Sequence, residues 1–270
     1  MHAVATLIDL RVRYPFRNYI LVMHTGGVTR RESEIDFLFP EIELEIIDDF
    51  LFASNSEIPT GKRGISKTLR QFAKLFLGRL AFLADANDLA GYRKIKPWVL
   101  TIRGHYSSRP ISKSTASFIF ERVQENSKTS RNTTGHVLGV HLRLGDLLVL
   151  QEKSAVDFAQ LKKEIVRVTE ERDFTLLKLY SDSPEKVVGY LGLSSSNIPM
   201  EVMGCPAIDI LSASADFDYF IGSNSKISYW VIFFRQLILQ NGAQSIPSAN
   251  VENLIKFADA DQSFNGFSRY

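Results

Sequence analysis

The second half of the chain alternates short apolar runs with amphipathic stretches, and this alternation restricts the folds it can adopt. Each of four runs is followed by a segment with helical spacing of its apolar residues; the runs lie at 137–142, 176–181, 199–203 and 219–222. Strands that alternate with helices form parallel β-α-β units, in which ligands bind at the carboxyl ends of the strands. The pattern therefore predicts a Rossmann-like domain with a site where these runs end.

The first half shows a weaker form of the same alternation. Strands are predicted at Tyr19–His24, Ile42–Ile47 and Pro97–Ile102, and helices at Ala3–Val12, Ile65–Leu83 and Ser114–Val123. Between the halves, Asn126–Gly135 is polar or small throughout and has no periodicity, which is typical of a linker. We therefore predict an α/β protein with an N-terminal domain over 1–130, a C-terminal domain over 131–245, and a tail over 246–270 in which Val251–Phe257 forms a terminal helix.

Composition excludes several classes of protein. The 32 Lys and Arg against 30 Asp and Glu give a net charge of +2, too balanced for a nucleic-acid-binding footprint. The single cysteine, Cys205, excludes internal disulfides and zinc sites built on paired thiolates. No apolar run approaches the roughly 20 residues of a membrane-spanning helix, and no signal peptide is recognisable. We expect a cytoplasmic protein, whose 19 Phe and 9 Tyr are compatible with peripheral contact at the inner face of a membrane.

A first candidate site follows the run 137–142, in the segment His141-Leu142-Arg143-Leu144-Gly145-Asp146. Residues two apart on a strand share a face, so His141 and Arg143 are predicted to point the same way. The planar guanidinium of Arg143 can hold a diphosphate through two hydrogen bonds. In the alternative, Arg143 pairs with Asp146 at the strand end and His141 packs in the core. The pattern alone leaves both open.

A second candidate is Tyr180-Ser181-Asp182-Ser183-Pro184, where a predicted strand runs into a helix start. Ser183 or Asp182 before Pro184 is ordinary chemistry for a helix N-terminus. The functional alternative is that Ser181 and Asp182 bind a nucleotide at the carboxyl end of the strand.

The third candidate is Gly222-Ser223-Asn224-Ser225-Lys226-Ile227-Ser228, a small polar turn before a strongly apolar helix. Free amides at a helix start bind anions, and Ser223, Asn224 and Ser225 can add side-chain donors. Simple capping by Ser223 or Asn224 is the alternative. The run holds more polar residues than one cap requires, which favours an anion site.

In this order along the chain, the three segments resemble the motif series of the bacterial α1,2-fucosyltransferases and, more loosely, of the α1,6- and protein O-fucosyltransferases. His141–Asp146 matches the motif His-x-Arg-x-Gly-Asp, with Leu144 where the family usually has a second Arg. Tyr180–Ser183 is similar to Phe-Ser-Asp-Asp, and Asn224–Trp230 to Asn-Ser-Ser-Phe-Ser-Trp-Trp. Two further stretches, Asp209–Ser214 and Gly104–Ser108, also look like family segments, so the resemblance covers about residues 97–240.

One family feature has no counterpart in this sequence. The family opens with a strand and a Gly-Gly-Leu-Gly-Asn-Gln loop, whereas Met1–Val12 looks like the helix that follows them. The N-terminal domain is therefore expected to be incomplete, and the resemblance raises the alternative of a nucleotide-sugar-binding protein without turnover. A related transferase that uses another nucleotide sugar is the third hypothesis.

The resemblance implies a GT-B-like fold of two Rossmann-like domains facing a cleft, with the acceptor bound on the N-terminal side and GDP-fucose on the C-terminal side. It implies inversion at the anomeric carbon, no cofactor and no metal, and an oligosaccharide or lipid-linked glycan as acceptor. Arg143 would stabilise the leaving GDP, and Asp146 is a candidate general base by position. The implied donor-binding residues are His141, Arg143, Ser181, Asp182, Asn224, Ser225 and Ser228.

Acidic pairs elsewhere in the sequence are the other candidates for metal ligands. Asp216-Phe217-Asp218 precedes a predicted strand rather than following one, and Asp259-Ala260-Asp261 lies in a polar tail. We interpret both triplets, and the pair Asp48-Asp49, as solvated charge.

Overall fold

A computed structural model describes ten segments of the chain, at residues 1–24, 34–47, 83–85, 101–103, 110–127, 135–144, 158–192, 198–204, 207–238 and 243–247. Its contacts divide the chain into two compact units, with Met1–Ser112 in the first and Lys113–Ile255 in the second. All helices within the described segments are too short or too polar to cross a membrane.

The described part of the first unit contains two small parallel sheets and two helices. Its elements are α1 (His2–Arg13), β1 (Ile20–His24), α2 (Ile35–Leu38), β2 (Glu43–Ile47), β3 (Leu83–Asp85) and β4 (Thr101–Arg103). β1 pairs with β2, and β3 with β4, each in parallel. Val4, Leu7 and Leu10 are buried because their spacing of three places them on one face of α1. The strands predicted at 19–24 and 42–47 are confirmed to within one residue.

Other predictions for this half concern residues that the structure covers only in part. Most of the helix predicted at Ile65–Leu83 lies outside the described residues, but Leu83 begins β3, so that end of the prediction is wrong. Of the strand predicted at Pro97–Ile102, only Thr101 and Ile102 are described, and both belong to β4. The predicted helix Val251–Phe257 lies outside the described residues.

The second unit is built on one five-stranded parallel sheet. Its elements are α3 (Lys113–Asn126), β5 (Val137–Leu142), α4 (Phe158–Glu171), β6 (Leu176–Ser181), α5 (Pro184–Leu191), β7 (Met200–Gly204), α6 (Ala207–Ala213), β8 (Tyr219–Gly222), α7 (Lys226–Ile238) and β9 (Gln244–Ser245). The strand order is β7-β6-β5-β8-β9, and every neighbouring pair is parallel. The predicted α/β class with Rossmann-like strand–helix alternation is confirmed.

The two faces of β5 contact different parts of the second unit. Leu138, Val140 and Leu142 join a core cluster with residues of α4 and α5. Gly139 lies on the opposite face, where a Cβ at this position would approach the Phe217 ring to 2.5 Å. Glycine therefore lets Phe217 lie directly on the central strand, where its ring stacks on Phe220.

The helix α3 belongs to the second unit, although the predicted boundary at 130/131 assigned it to the first. Phe120 of α3 packs edge-on against Phe234 of α7, with ring centroids 5.1 Å apart. Gln124 Nε2 donates to the Ser212 carbonyl at 2.6 Å, which ties α3 to the end of α6. The contacts therefore divide the chain before α3 rather than within the linker that follows it. β1 and β5 belong to separate sheets.

Candidate functional site

The three candidate motifs lie at one edge of the five-stranded sheet. Arg143 follows β5, Asp182 follows β6, and Ser223 follows β8. β5 lies between the other two strands, with His141 in register with both Tyr180 and Gly222. Because all three strands are parallel, their carboxyl ends meet at the same edge.

The strand order reverses at this edge. From β5 the chain proceeds outward through β6 to β7, and then returns to place β8 on the other side of β5. Crossover connections on the two sides of such a point lead away from each other, which leaves a crevice at the carboxyl ends of the two central strands. In open α/β sheets this crevice is the general position of a ligand site, and here it lies between β5 and β8.

His141 is buried behind this edge and binds the start of α7. Its side chain is 4% exposed, and Nδ1 lies 2.7 Å from Ser228 Oγ and 3.4 Å from Ser225 Oγ. Burial lowers the pKa of His141 to about 4, Asp182 opposes that shift, and Arg143 adds to it. The ring is therefore neutral at pH 7 and acts as a hydrogen-bonding group rather than as a charge.

The side chains of the polar turn before α7 form hydrogen bonds within the protein. Ser225 is the N-cap, since its Oγ accepts from the Ser228 amide at 3.2 Å. Asn224 Oδ1 accepts a hydrogen bond from the Tyr229 hydroxyl. A Cβ on Gly222 would lie 2.7 Å from the Ser228 Cβ, so glycine is what permits α7 to approach β8 this closely. The capping residue is thus Ser225, whereas the sequence suggested Ser223 or Asn224.

The first-turn amides of α7 remain available to a ligand by helix geometry. Lys226 and Ile227 occupy the first two helical positions, whose N–H groups have no intrahelical acceptor. They lie on the switch-point side of the sheet, next to the end of β8. This helix start can therefore supply donors and a positive dipole end to an anion at that edge.

Arg143 extends from a main chain that is held from both neighbouring strands. Its amide donates to Ser223 Oγ at 3.2 Å, and the Leu144 amide donates to Asp182 Oδ1 at 2.7 Å. The Ser223 amide in turn donates to the His141 carbonyl at 2.9 Å. Leu144 is buried in the core on the side of Leu142. Arg143 therefore lies on the same face as His141, as the strand period predicted.

The segment after β6 has a largely structural local role. Ser181 is buried and its Oγ accepts from the Ser183 amide at 3.1 Å, which forms the turn into α5. α5 begins at Pro184, as the Ser-Pro pattern predicted, but the Ser183 side chain makes no capping hydrogen bond. The Asp182 carboxylate is exposed at the sheet edge.

Seven of the eight predicted site residues are described, and all seven lie at this edge. His141, Ser181, Ser225 and Ser228 are buried, Arg143 and Asn224 are partly exposed, and Asp182 is exposed. The eighth, Asp146, lies outside the described residues. Ser223 was named in the sequence only as a capping candidate; its bond to the Arg143 amide spans 80 residues and has no signal in local sequence.

The acidic triplet at 216–218 has a structural role. Asp218 Oδ2 accepts from the Val137 amide at 2.7 Å and so fixes the start of β5 beside β8. Its Oδ1 lies 3.4 Å from His136 Nδ1. Within the described residues there is no group of three His, Cys, Asp or Glu side chains arranged to hold a metal ion. Asp48-Asp49 and Asp259-Ala260-Asp261 lie outside those residues.

Comparison with known proteins gives no sequence-level relative. No protein-family model matches the chain, and no curated protein matches it. Two similar solved structures are crystal structures of POFUT1 in complex with GDP. The first is 13% identical, with a TM-score of 0.41, covering 91% of this chain and 79% of that one. The second is 16% identical, with a TM-score of 0.40, covering 91% and 78%. These likenesses are too distant to assign a donor or an acceptor.

Proposed function

We propose that the protein is a glycosyltransferase that transfers fucose from GDP-fucose to a hydroxyl of a glycan, with inversion and without a metal ion. The acceptor is an oligosaccharide or a lipid-linked glycan, bound in the cytoplasm or at the inner face of the membrane. Within this proposal the α1,2 linkage rests on the motif resemblance alone.

One observation supports the proposal above the others. Three segments that resemble fucosyltransferase motifs are far apart in sequence, yet Arg143, Asp182 and Asn224 follow three adjacent strands of one sheet. They surround the point where the strand order reverses, which is where α/β proteins bind nucleotides. Among the strand ends at this edge, the three motifs occupy those of β5 and of its two neighbours, on both sides of the switch point.

The residues at this edge suit a diphosphate leaving group. The planar Arg143 guanidinium can bind two phosphate oxygens at once. The first-turn amides of α7 add donors and a favourable dipole. In the proposed reaction an acceptor hydroxyl attacks the anomeric carbon of fucose. At the same time the bond between that carbon and the β-phosphate oxygen of GDP breaks. The electron pair leaves with GDP, whose developing charge Arg143 stabilises.

The proton of the acceptor hydroxyl requires a base, and we propose Asp146 for that role from its position in the motif. His141 is not proposed as the base, because its Nδ1 is engaged by Ser228 and its ring is buried. Three buried residues instead hold the start of α7 in place, namely His141, Ser225 and Ser228. The residues nearer to solvent are Arg143, Asn224 and Asp182.

A thermal-shift comparison of GDP, UDP and ADP, each with and without EDTA, tests the proposal. A ligand that binds only the folded state stabilises it by about 2.7 kcal/mol at one hundred times its Kd. We expect GDP to raise the melting temperature more than UDP or ADP does. The GDP-induced rise should be the same with and without EDTA. Loss of the shift on chelation would overturn the metal-free part, and a preference for UDP would overturn the fucosyltransferase assignment.

A donor panel separates the three hypotheses from one another. Transfer from GDP-fucose to a glycan supports the proposal. GDP binding with neither transfer nor donor hydrolysis indicates a nucleotide-sugar-binding protein. Turnover of another GDP-sugar indicates a related transferase.

A further inference from the structure

Hydrogen bonding along the β5 chain continues beyond the ends of its neighbouring strands, β6 and β8. β6 ends at Ser181 and β8 ends at Gly222, so neither offers a regular strand carbonyl to the residues that follow Leu142. The amides of Arg143 and Leu144 are nevertheless both satisfied, each by a side-chain oxygen.

Strand geometry explains why two different neighbours are involved. Successive N–H groups of an extended chain point to opposite sides, and here they point toward the two flanking strands. Arg143 donates toward β8, where Ser223 Oγ accepts at 3.2 Å, and Leu144 donates toward β6, where Asp182 Oδ1 accepts at 2.7 Å. The Asp182 bond is charge-assisted, so it is the stronger of the two.

These bonds fix the direction in which the Arg143 side chain leaves the main chain. The Leu144 side chain is fully buried in the core on one face, and the hydrogen-bonded amides anchor the backbone of both residues. The Cα–Cβ bond of Arg143 must then point to the face of His141 and α7. Without the two acceptors, the main chain beyond Leu142 would be free to turn. The Arg143 guanidinium would then sample many orientations.

We propose that Ser223 and Asp182 are positioning residues that aim Arg143 at the switch-point crevice, by extending the β5 ladder one residue toward each neighbour. This inference rests on the proposed function for its consequence, the binding of a diphosphate. It assigns Ser223 a role in the site, and it gives Asp182 a task that requires a hydrogen-bond acceptor rather than a negative charge toward the donor.

The distinction between acceptor and charge sets the choice of variants. Asp182→Asn keeps a carbonyl oxygen for the Leu144 amide but removes the charge, whereas Asp182→Ala removes both. Ser223→Ala removes the acceptor for the Arg143 amide. Ser183→Ala is the matched control, because Ser183 lies in the same turn and its side chain makes no capping bond.

Two readouts are taken on the full chain, GDP affinity by calorimetry and amide hydrogen exchange at Arg143 and Leu144. We expect Ser223→Ala and Asp182→Ala each to weaken GDP binding by about tenfold, the usual net effect of one such hydrogen bond. Asp182→Asn should weaken GDP binding less than Asp182→Ala does, because it keeps an acceptor for the Leu144 amide while losing the charge that strengthens this bond. Ser183→Ala should bind GDP as the wild type does. In the hydrogen-exchange measurement, Ser223→Ala should lower the protection mainly of the Arg143 amide. Asp182→Ala should lower the protection mainly of the Leu144 amide.

The outcomes separate this inference from the proposed function. If folded Ser223→Ala and Asp182→Ala leave both amides as protected as in the wild type, the positioning inference is overturned whatever happens to GDP. Equal losses of GDP binding in Asp182→Asn and Asp182→Ala would also overturn it, because they would show a direct role for the charge. A wild type that binds no GDP overturns the proposed function, while the exchange measurements still decide the positioning role.

Discussion

Arg143 is the residue on which the proposed chemistry depends most directly. Its main chain is held by the Ser223 hydroxyl and followed by the buried Leu144, so the backbone of this segment has anchors that do not involve the Arg143 side chain. We therefore expect Arg143→Ala to remain folded and to lose transfer by roughly 10²–10³ in rate, as when a donor to developing charge is removed. Arg143→Lys should recover little, because an ammonium lacks the bidentate fork.

Calorimetric titration of GDP into both Arg143 variants, with melting curves alongside, checks this expectation. The alternative from the sequence is a strand-end ion pair with Asp146, which predicts a lower melting temperature and unchanged GDP affinity. A folded Arg143→Ala protein with wild-type affinity would remove Arg143 from the site.

His141 gives a prediction about pH. Burial lowers its pKa to about 4 from the ordinary 6.5, so the unfolded chain takes up this proton at a higher pH than the folded protein does. The stability that depends on the neutral ring is complete above about pH 6.5 and is lost as the pH falls toward 4, with a slope of up to about 1.4 kcal/mol per pH unit.

Urea unfolding of the wild type and of His141→Asn between pH 7 and pH 4.5 measures that loss. Asn places a polar atom near the position of Nδ1, so the contact to Ser228 can persist without a titrating group. We expect the free-energy difference between the two proteins to shift in favour of the variant as the pH falls. A difference that is constant over this range would contradict the prediction.

Local sequence predicts which candidate residues share a face or begin a helix more readily than it predicts their hydrogen-bond partners. The pairing of His141 and Arg143 on one face follows from the two-residue period of a strand, and the start of α5 at Pro184 follows from its fixed φ. The identity of the N-cap before α7 does not follow in this way, since Ser223, Asn224 and Ser225 are all suitable. Ser225 caps because β8 ends at Gly222 and Ser223 is engaged with a residue 80 positions earlier.

At the scale of elements, the contact between β8 and α7 depends on the missing side chain of Gly222. A Cβ there would lie 2.7 Å from the Ser228 Cβ and 2.8 Å from its Oγ. Gly222→Ala should therefore push the first turn of α7 away from β8, break the Ser228–His141 bond and weaken GDP binding by at least tenfold, on the order of the loss of one buried hydrogen bond.

The matched control is Gly189→Ala in α5, where a Cβ would meet nothing within 4 Å. Glycine within a helix costs about 0.5–1 kcal/mol relative to alanine, so this variant should be slightly more stable than the wild type and bind GDP equally. Equal GDP affinity in Gly222→Ala would show that the helix start does not contribute to the site.

Arg235 of α7 holds the connections on either side of β8. It is 1% exposed, and its guanidinium donates to the carbonyls of Ser214 at 2.9 Å, Phe217 at 2.5 Å and Ala243 at 3.3 Å. Burial lowers its pKa to about 10, so it stays charged at neutral pH. Arg235→Met removes the guanidinium donor from the Ser214 and Phe217 carbonyls, whereas the Ala243 carbonyl keeps the Phe220 amide, and it should lower the free energy of unfolding by about 3 kcal/mol or more.

Arg167→Ala is the control for that substitution. Arg167 also makes several close contacts, to Glu164 and Glu171, but on the exposed surface of α4. Surface ion pairs of this kind contribute about 1 kcal/mol or less. If urea unfolding showed the two variants to be destabilised by similar amounts, Arg235 would not be the residue that holds the connections on either side of β8.

At the scale of the whole molecule, the strand order is what the sequence could not supply. Each β-α-β unit is visible as local alternation, but nothing in the segment 219–222 indicates that it pairs with β5 rather than with β7. The pairing depends on distant contacts, such as the Asp218 carboxylate on the Val137 amide and the Phe217 ring over Gly139. The grouping of α3 with the second unit depends on a distant contact in the same way, because the packing of Phe120 on Phe234 is invisible in the segment that contains α3.

The last prediction concerns the independence of the second unit. Every described residue of the candidate site lies between 135 and 238, within the unit Lys113–Ile255, which has its own buried core on both faces of the sheet. A chain of residues 113–255 should therefore unfold cooperatively and bind GDP with the affinity of the full protein, also in EDTA, while transferring no fucose, since the resemblance assigns the acceptor to the other unit. Calorimetry and urea unfolding on this shorter chain check both parts. A folded 113–255 chain that does not bind GDP would show that residues beyond the sheet edge complete the nucleotide site, and would rule out a donor site built from the three strand ends alone.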